Sequence, residues 1–105
     1  MSASTSTAAT PAISVVVATY NRSATLAETL AHLERQTLAK DLYEVIVADD
    51  GSPDDTEDVV RDAATRLGFS IVYTRHENHG VGYTQNRGIE RATAPLVLLI
   101  ADDIF

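Results

Sequence analysis

The sequence contains no cysteine and no tryptophan, and its 105 residues include only eight Lys and Arg, of which Lys40 is the single lysine. Without cysteine there is no disulfide framework and no thiolate metal site, which fits a reducing compartment. No apolar run approaches the roughly 20 residues that a bilayer-crossing helix needs. After Met1, the segment to Ala12 is built from Ser, Thr, Ala and Pro, with neither the basic start nor the apolar stretch of a signal peptide. Residues 1–12 therefore read as a disordered tail preceding one domain over 13–105. The expected location is cytoplasmic, with any membrane attachment left to sequence beyond Phe105. Cationic charge is scarce as well. The formal net charge is -7, and seven acidic residues lie between Asp49 and Asp62 with Arg61 as the only base among them. That balance argues against nucleic acid as a partner, since binding it depends on neutralising phosphates with Lys and Arg. An anionic ligand would need a cation as mediator.

What is present is a regular alternation. Four apolar runs, Ile13 to Ala18, Tyr43 to Ala48, Ser70 to Arg75 and Leu96 to Ala101, are dense in β-branched residues and nearly continuous, the pattern of strands buried on both faces. Helical patterns separate them. Leu26, Leu30 and Leu33 fall on one stripe, with Ser23 as the expected cap. Ser52 is the expected N-cap of a second helix, with Pro53 at its first position and Asp54 and Asp55 near its positive end. Val59, Val60, Ala63, Ala64 and Leu67 form its apolar face, and Gly68 marks its end. A third helix is expected from about Val81 to Ala92, although Gly82 and Gly88 each cost a helix interior about 1 kcal/mol relative to Ala. Strand, helix, strand in repetition predicts an α/β fold: a Rossmann-like parallel sheet with helices on both faces. The residues after strands one, two and four then gather at one sheet edge, where ligands of open α/β sheets bind.

Two acidic pairs, Asp49/Asp50 and Asp102/Asp103, each end an apolar strand. Gathering four carboxylates at one edge without a cation would cost repulsion and desolvation. Hard oxygen ligands favour Mg²⁺ or Mn²⁺, commonly held by one or two carboxylates together with substrate phosphates. A nucleotide diphosphate suits that arrangement. The plainer alternative is that Asp49 and Asp50 begin a turn before the second helix. His32, His76 and His79 have no carboxylate or Cys partner at ligand spacing and read as surface or core residues, and Tyr73 and Tyr83 as packing.

Five blocks in order, SVVVATYNR (Ser14 to Arg22), EVIVADDGSPDDT (Glu44 to Thr56), Asn-x-Gly at Asn78 and Gly80, Asn-x-Gly at Asn86 and Gly88, and LIADD (Leu99 to Asp103), resemble the family 2 glycosyltransferases of the GT-A fold. The resemblance covers essentially all of Ile13 to Phe105. It implies inverting transfer of a sugar from a nucleotide diphosphate sugar to an acceptor, with a divalent metal. By the same resemblance, Ala18, Thr19 and Tyr20 lie along the base and ribose, and Asp50 bonds the nucleobase while Asp49 supports its loop. Arg22, Asn78, Gly80 and Asn86 belong to the donor site, Asp102 stands near the ribose or metal, and Asp103 is the metal ligand proper.

Three departures qualify this. Ala101 stands where the leading acid of the family's Asp-x-Asp often is, which shifts metal ligation onto Asp103. Thr84 and Gln85 replace the frequent Ala-Arg and remove a cation, for which Arg87 is a candidate substitute. The family's acceptor-binding half and general base are expected beyond Phe105, with the sheet cut after its fourth strand and residues 1–105 inactive alone. A different reading is a non-catalytic module of the same fold that binds a nucleotide sugar or a partner. A phosphate loop and a dinucleotide fingerprint are absent after the first strand, which disfavours other nucleotide enzymes.

Overall fold

The computed structural model describes residues 11–36 and 39–102. Of the residues singled out above, Met1 to Thr10 and Asp103 lie outside these. Just ahead of the first strand, the Ala12 amide donates to the Leu42 carbonyl at 2.8 Å.

Strand β1 (Ile13–Thr19) leads to helix α1 (Ser23–Glu34), then strand β2 (Tyr43–Asp49), helix α2 (Thr56–Arg66), strand β3 (Ser70–Arg75), helix α3 (Val81–Glu90) and strand β4 (Leu96–Ile100). All pairings are parallel and the order across the sheet is β3-β2-β1-β4. Successive side chains of a strand face opposite ways, so the central strands need cover on both faces. Val15, Val17, Val45 and Val47 point to the side where Leu26 and Leu30 of α1 and Val60 and Ala63 of α2 complete one apolar cluster. Burial of each Val or Leu among them stabilises by about 1.5–3 kcal/mol.

Helix α3 covers the other face, over β1 and β2. It can lie there because of Gly88, where a Cβ would stand 2.4 Å from a Val16 methyl and 3.4 Å from the Ala48 Cβ. By contrast, nothing lies within 4 Å of such an atom at Gly82, so close packing does not explain that glycine. Among the described residues, no helix is long and apolar enough to cross a membrane.

Two helix starts differ from expectation. Helix α2 begins at Thr56 rather than at Pro53, and neither helix has a side-chain bond from its N-cap residue. Asp54 serves both instead: one carboxylate oxygen accepts from the Thr56 amide at 3.1 Å and the other from the Ser23 amide at 3.2 Å. Ser52 is engaged elsewhere, and Ser23 is itself the first helical residue.

The register aligns the carboxyl ends of β1, β2 and β3 at Thr19, Asp49 and Arg75, with Ala101 and Asp102 following β4 beside them. The strand order reverses at β1, which has β2 on one side and β4 on the other. The crevice outside β1 and β4 is therefore the topological switch point.

Candidate functional site

The loop after β2 is organised around two adjacent carboxylates with separate tasks. Asp49 is wholly buried. It accepts from the Ser52 amide at 2.9 Å and hydroxyl at 2.6 Å, and from the Tyr73 phenol, with the Arg75 Nε at 3.9 Å. Burial first, then the bond to and charge of Asp49, push the Tyr73 phenol far above its usual range, so it stays a donor. Tyr73 is thus a bonded partner rather than packing alone. Ser52 Oγ accepts in turn from the Asn21 amide at 2.7 Å, and the Asp50 amide donates to the Thr19 carbonyl at 2.9 Å. These bonds lock the loops after β1 and β2 together.

Asp50 faces the other way and has four acceptor positions, all filled. One oxygen accepts from the His79 amide at 2.7 Å and His76 Nε2 at 3.1 Å, the other from the Gly80 amide at 3.0 Å and Asn78 Nδ2 at 3.1 Å. Burial would raise its pKa, but the amides of His79 and Gly80, with Thr84 and His76, outweigh it and hold the group below the usual carboxylate range. The strained backbone around it needs glycine. Gly51 has φ +78° and no room for a Cβ, which would meet the Asn78 amide at 3.0 Å, while Gly80 has φ +96° at the head of α3.

His76, read from the sequence as a surface or core residue, is bonded to Asp50. Its side chain is 9% exposed, and Nε2 lies 3.0 Å from the Thr84 hydroxyl as well as near Asp50. The Thr84 hydroxyl donates to the Gly80 carbonyl at 2.8 Å, so it can only accept from His76. Nε2 therefore carries the proton, bifurcated between Thr84 and Asp50, and the buried Nδ1 has no partner. The Asp50 partner is 26 residues away in sequence, which is why no local spacing revealed it.

Asp102 closes the crevice from β4. One of its oxygens accepts from the Thr19 hydroxyl at 3.0 Å, the other is 3.1 Å from Arg22 Nη1, and its backbone carbonyl accepts from the Thr29 hydroxyl at 2.6 Å.

Between these loops and α3 lies an open cleft of about 470 Å³. Ala18, Thr19, Tyr20, Arg22, Asp50 and Asp102 all line it, as do Val81, Thr84 and Gln85 from α3 and the stretch Leu99 to Ala101. Asn78 and Gly80 stand behind Asp50 and hold it. Asn86 is exposed and does not line the cleft. Val81, Thr84, Gln85 and Gly88 share the inward face of α3 at helical spacing, and Asn86 falls off it. Arg87 is no substitute cation either, for it pairs with Glu90 at 3.0 Å on the exposed side of the helix. Among the described residues lining the cleft, Arg22 is the single basic side chain.

For a hard divalent cation, the donor chemistry fits in part. Asp102 offers a carboxylate at the cleft wall, whereas Asp50 has no acceptor position left. No group of three His, Cys, Asp or Glu suited to a metal occurs among the described residues. A cation there would rely on substrate phosphates and on further oxygen ligands.

The fold recurs in solved structures. A mannosyltransferase from Pyrobaculum calidifontis, in complex with GDP-Man and Mn²⁺, superposes with a TM-score of 0.83 at 29% identity, over 90% of this chain and 28% of that one. S. aureus TarS in complex with UDP-GlcNAc gives 0.79 at 31% identity, over 87% and 26%. These neighbours are GT-A glycosyltransferases, and the four-stranded parallel sheet with helices on both faces is that fold. In sequence, validoxylamine A glucosyltransferase from Streptomyces hygroscopicus subsp. jinggangensis is 44% identical over 90 residues, 86% of this chain and 21% of the relative. The putative glycosyltransferase EpsH of Bacillus subtilis is 35% identical over 95 residues, 90% of this chain and 26% of the relative. The chain thus spans about a fifth to a quarter of the length of these relatives. The model of glycosyl transferase family 2 matches residues 14–105, and the chain belongs to that family.

Proposed function

We propose that this chain forms the donor subsite of a glycosyltransferase that moves a sugar from a nucleotide diphosphate sugar to an acceptor, with inversion. The observation that carries this reading is the convergence of Ala18, Thr19, Tyr20, Arg22, Asp50 and Asp102 on one cleft at the topological switch point. Complexes of structural neighbours with GDP-Man and UDP-GlcNAc support the ligand class.

In this reading the base and ribose lie along Ala18 to Tyr20. Asp50 itself lines the cleft beside them and is held from behind by the loop from His76 to Gly80. Asn86 has a supporting place on α3, outside the cleft. Asp102 and Asp103 would hold a divalent cation, Mg²⁺ or Mn²⁺, whose chemistry when bound is to neutralise the charge developing on the leaving diphosphate. The Mn²⁺ in the Pyrobaculum complex supports a divalent ion of this kind.

Transfer requires the acceptor hydroxyl to attack the anomeric carbon as the bond to the diphosphate oxygen breaks, with a base taking the hydroxyl proton. Thermal-shift measurements on the full-length protein with nucleotide diphosphate sugars, with and without Mn²⁺, test the reading. Stabilisation by one donor class, enhanced by metal, is expected because a ligand that binds only the native state raises its stability. No stabilisation by any nucleotide diphosphate would refute it.

A further inference from the structure

We infer that Gln85 selects the base of the nucleotide: its amide pairs with the exocyclic group of the base and, being donor and acceptor at once, takes either a carbonyl or an amino group there. This rests on the donor-subsite reading above.

The shape of the cleft indicates where a base fits. Val16 faces α3, since a Cβ at Gly88 would stand 2.4 Å from its methyl, and Leu99 is in register with Val16. Ala18 and Ala101 follow two residues later, where the alternation returns a side chain to the same side, and both line the cleft with Leu99. The floor beneath α3 is therefore apolar, and its two alanines leave depth. Leu99 on this floor is 45% exposed, and Val81 on the wall is 67% exposed. Such surfaces suit the flat face of a base and offer a phosphate nothing to bond. Gln85 is half-buried one turn from Val81 on the same helix face, which sets its amide at the edge of a ring laid on the floor.

Hydrogen bonding singles out the same residue. Asp50 has its four acceptor positions filled from within the protein. The Thr84 hydroxyl donates to the Gly80 carbonyl and accepts from His76, and the Asp102 oxygens are engaged by Thr19 and Arg22. Gln85, by contrast, has no hydrogen-bond partner among the described residues. Tyr20 shares this but is 45% exposed, so a ligand on the floor covers it less completely. A base that displaced water from the half-buried amide without replacing its bonds would bind poorly. Nothing among the described residues fixes which way that amide points. Its oxygen can accept from an amino group, or its nitrogen can donate to a carbonyl.

The test uses the full-length protein and two pairs of ligands, UDP with CDP and GDP with ADP, which share a diphosphate and differ in carrying a carbonyl or an amino group on the base. Affinities are measured by calorimetry in one buffer for wild type, Gln85→Glu, Gln85→Lys and Gln85→Met. All three replacements are good helix formers, so folding is preserved. The ratio within a pair cancels the diphosphate and any charge added to the cleft. Wild type is expected to bind both members of its tighter pair comparably, within about threefold. Gln85→Glu, which only accepts, should shift the ratio about tenfold toward the amino base, and Gln85→Lys, which only donates, about tenfold toward the carbonyl base. Gln85→Met should weaken both members alike. Opposite shifts in Glu and Lys are the signature, since a merely structural defect moves both ligands together. If the two ratios stay at the wild-type value, as they would were Gln85 to touch only sugar or phosphate, the assignment is wrong while the donor reading stands. A tenfold wild-type preference that survives in Gln85→Met overturns it equally. If wild type binds none of the four diphosphates, the donor reading itself fails.

Discussion

Gly88 and His76 show how single residues set the cleft. A methyl group at position 88 would gain about 1 kcal/mol of helix propensity but would press on the buried Val16. Overpacking of that kind costs typically about 1–3 kcal/mol, and a β-branched side chain in a filled core has little freedom to yield. Gly88→Ala in the full-length protein is therefore expected to lower the thermal midpoint by several degrees; an unchanged or raised midpoint would contradict the packing of α3 on β1. At His76 the relevant atom is the Nε2 proton shared by Asp50 and Thr84. His76→Leu leaves a buried carboxylate short of one donor, at a cost of about 1–3 kcal/mol. His76→Gln places an amide N–H at a similar reach and should recover much of that stability. Equal destabilisation by both substitutions, in chemical denaturation, would show that the ring's bulk matters and its proton does not.

At the scale of elements, β1 and β2 were legible because burial on both faces writes continuous apolar runs; β3 and β4 also lie where their runs predict, but they are edge strands and only partly buried, not covered on both faces as expected. Helix starts were misplaced for a physical reason. Ser52 looks like a cap in sequence, but Asp49 and Asn21 claim its hydroxyl, and Asp54 serves two helices at once. At the opposite edge of the sheet, buried Glu44 accepts from the Ser14 hydroxyl at 2.6 Å and from the Thr93 amide at 2.8 Å, tying β1, β2 and the approach to β4. Burial pushes the Glu44 pKa up, but these bonds outweigh it and the net shift is downward, as for Asp50 and Asp54. A folded pKa below the unfolded one contributes stability above the unfolded value, about 4, and loses it as pH falls through the folded value. Stability should hold above about pH 5 on this account and fall below about pH 4. Glu44→Gln should be destabilised at pH 7 and draw level with wild type on acidification; a constant gap across that range would exclude the linkage. Strand β4 has the opposite problem. It pairs with β1 on one side, while Leu96, Leu98 and Leu99 remain about half exposed. Such an apolar edge favours pairing with other chains. Residues 1–105 should self-associate in sedimentation experiments, and a monomer across a wide concentration range would argue against the edge position of β4.

For the molecule as a whole, parallel order brought the loops after β1, β2 and β4 to one edge, so the location of the cleft could be read from the order of runs. Which atoms remain available in it could not, because the hydrogen-bond partners of the Asp50 and Asp102 carboxylates come from residues 26 to 83 positions away. Those partners bear on catalysis. A general base must present an oxygen or nitrogen able to take the acceptor proton. Asp50 has four donors on its two oxygens, Asp102 has Thr19 and Arg22, and Asp49 is buried behind the loop. The Nε2 of His76 already carries a proton. The His76 Nδ1 has no partner but is buried, so among the described residues lining the cleft none presents an unpartnered basic atom to an acceptor. Residues 1–105 alone are expected to form no glycosidic product from UDP- or GDP-sugars, even where donor binding is detected, because a positioned base contributes typically about 10²–10⁴-fold. The full-length protein, assayed in parallel with the same donors and Mn²⁺, should release nucleotide diphosphate in an acceptor-dependent way. Acceptor-dependent release by residues 1–105 at a comparable rate would place the base inside this segment and require one of the bonded carboxylates to free an oxygen during turnover.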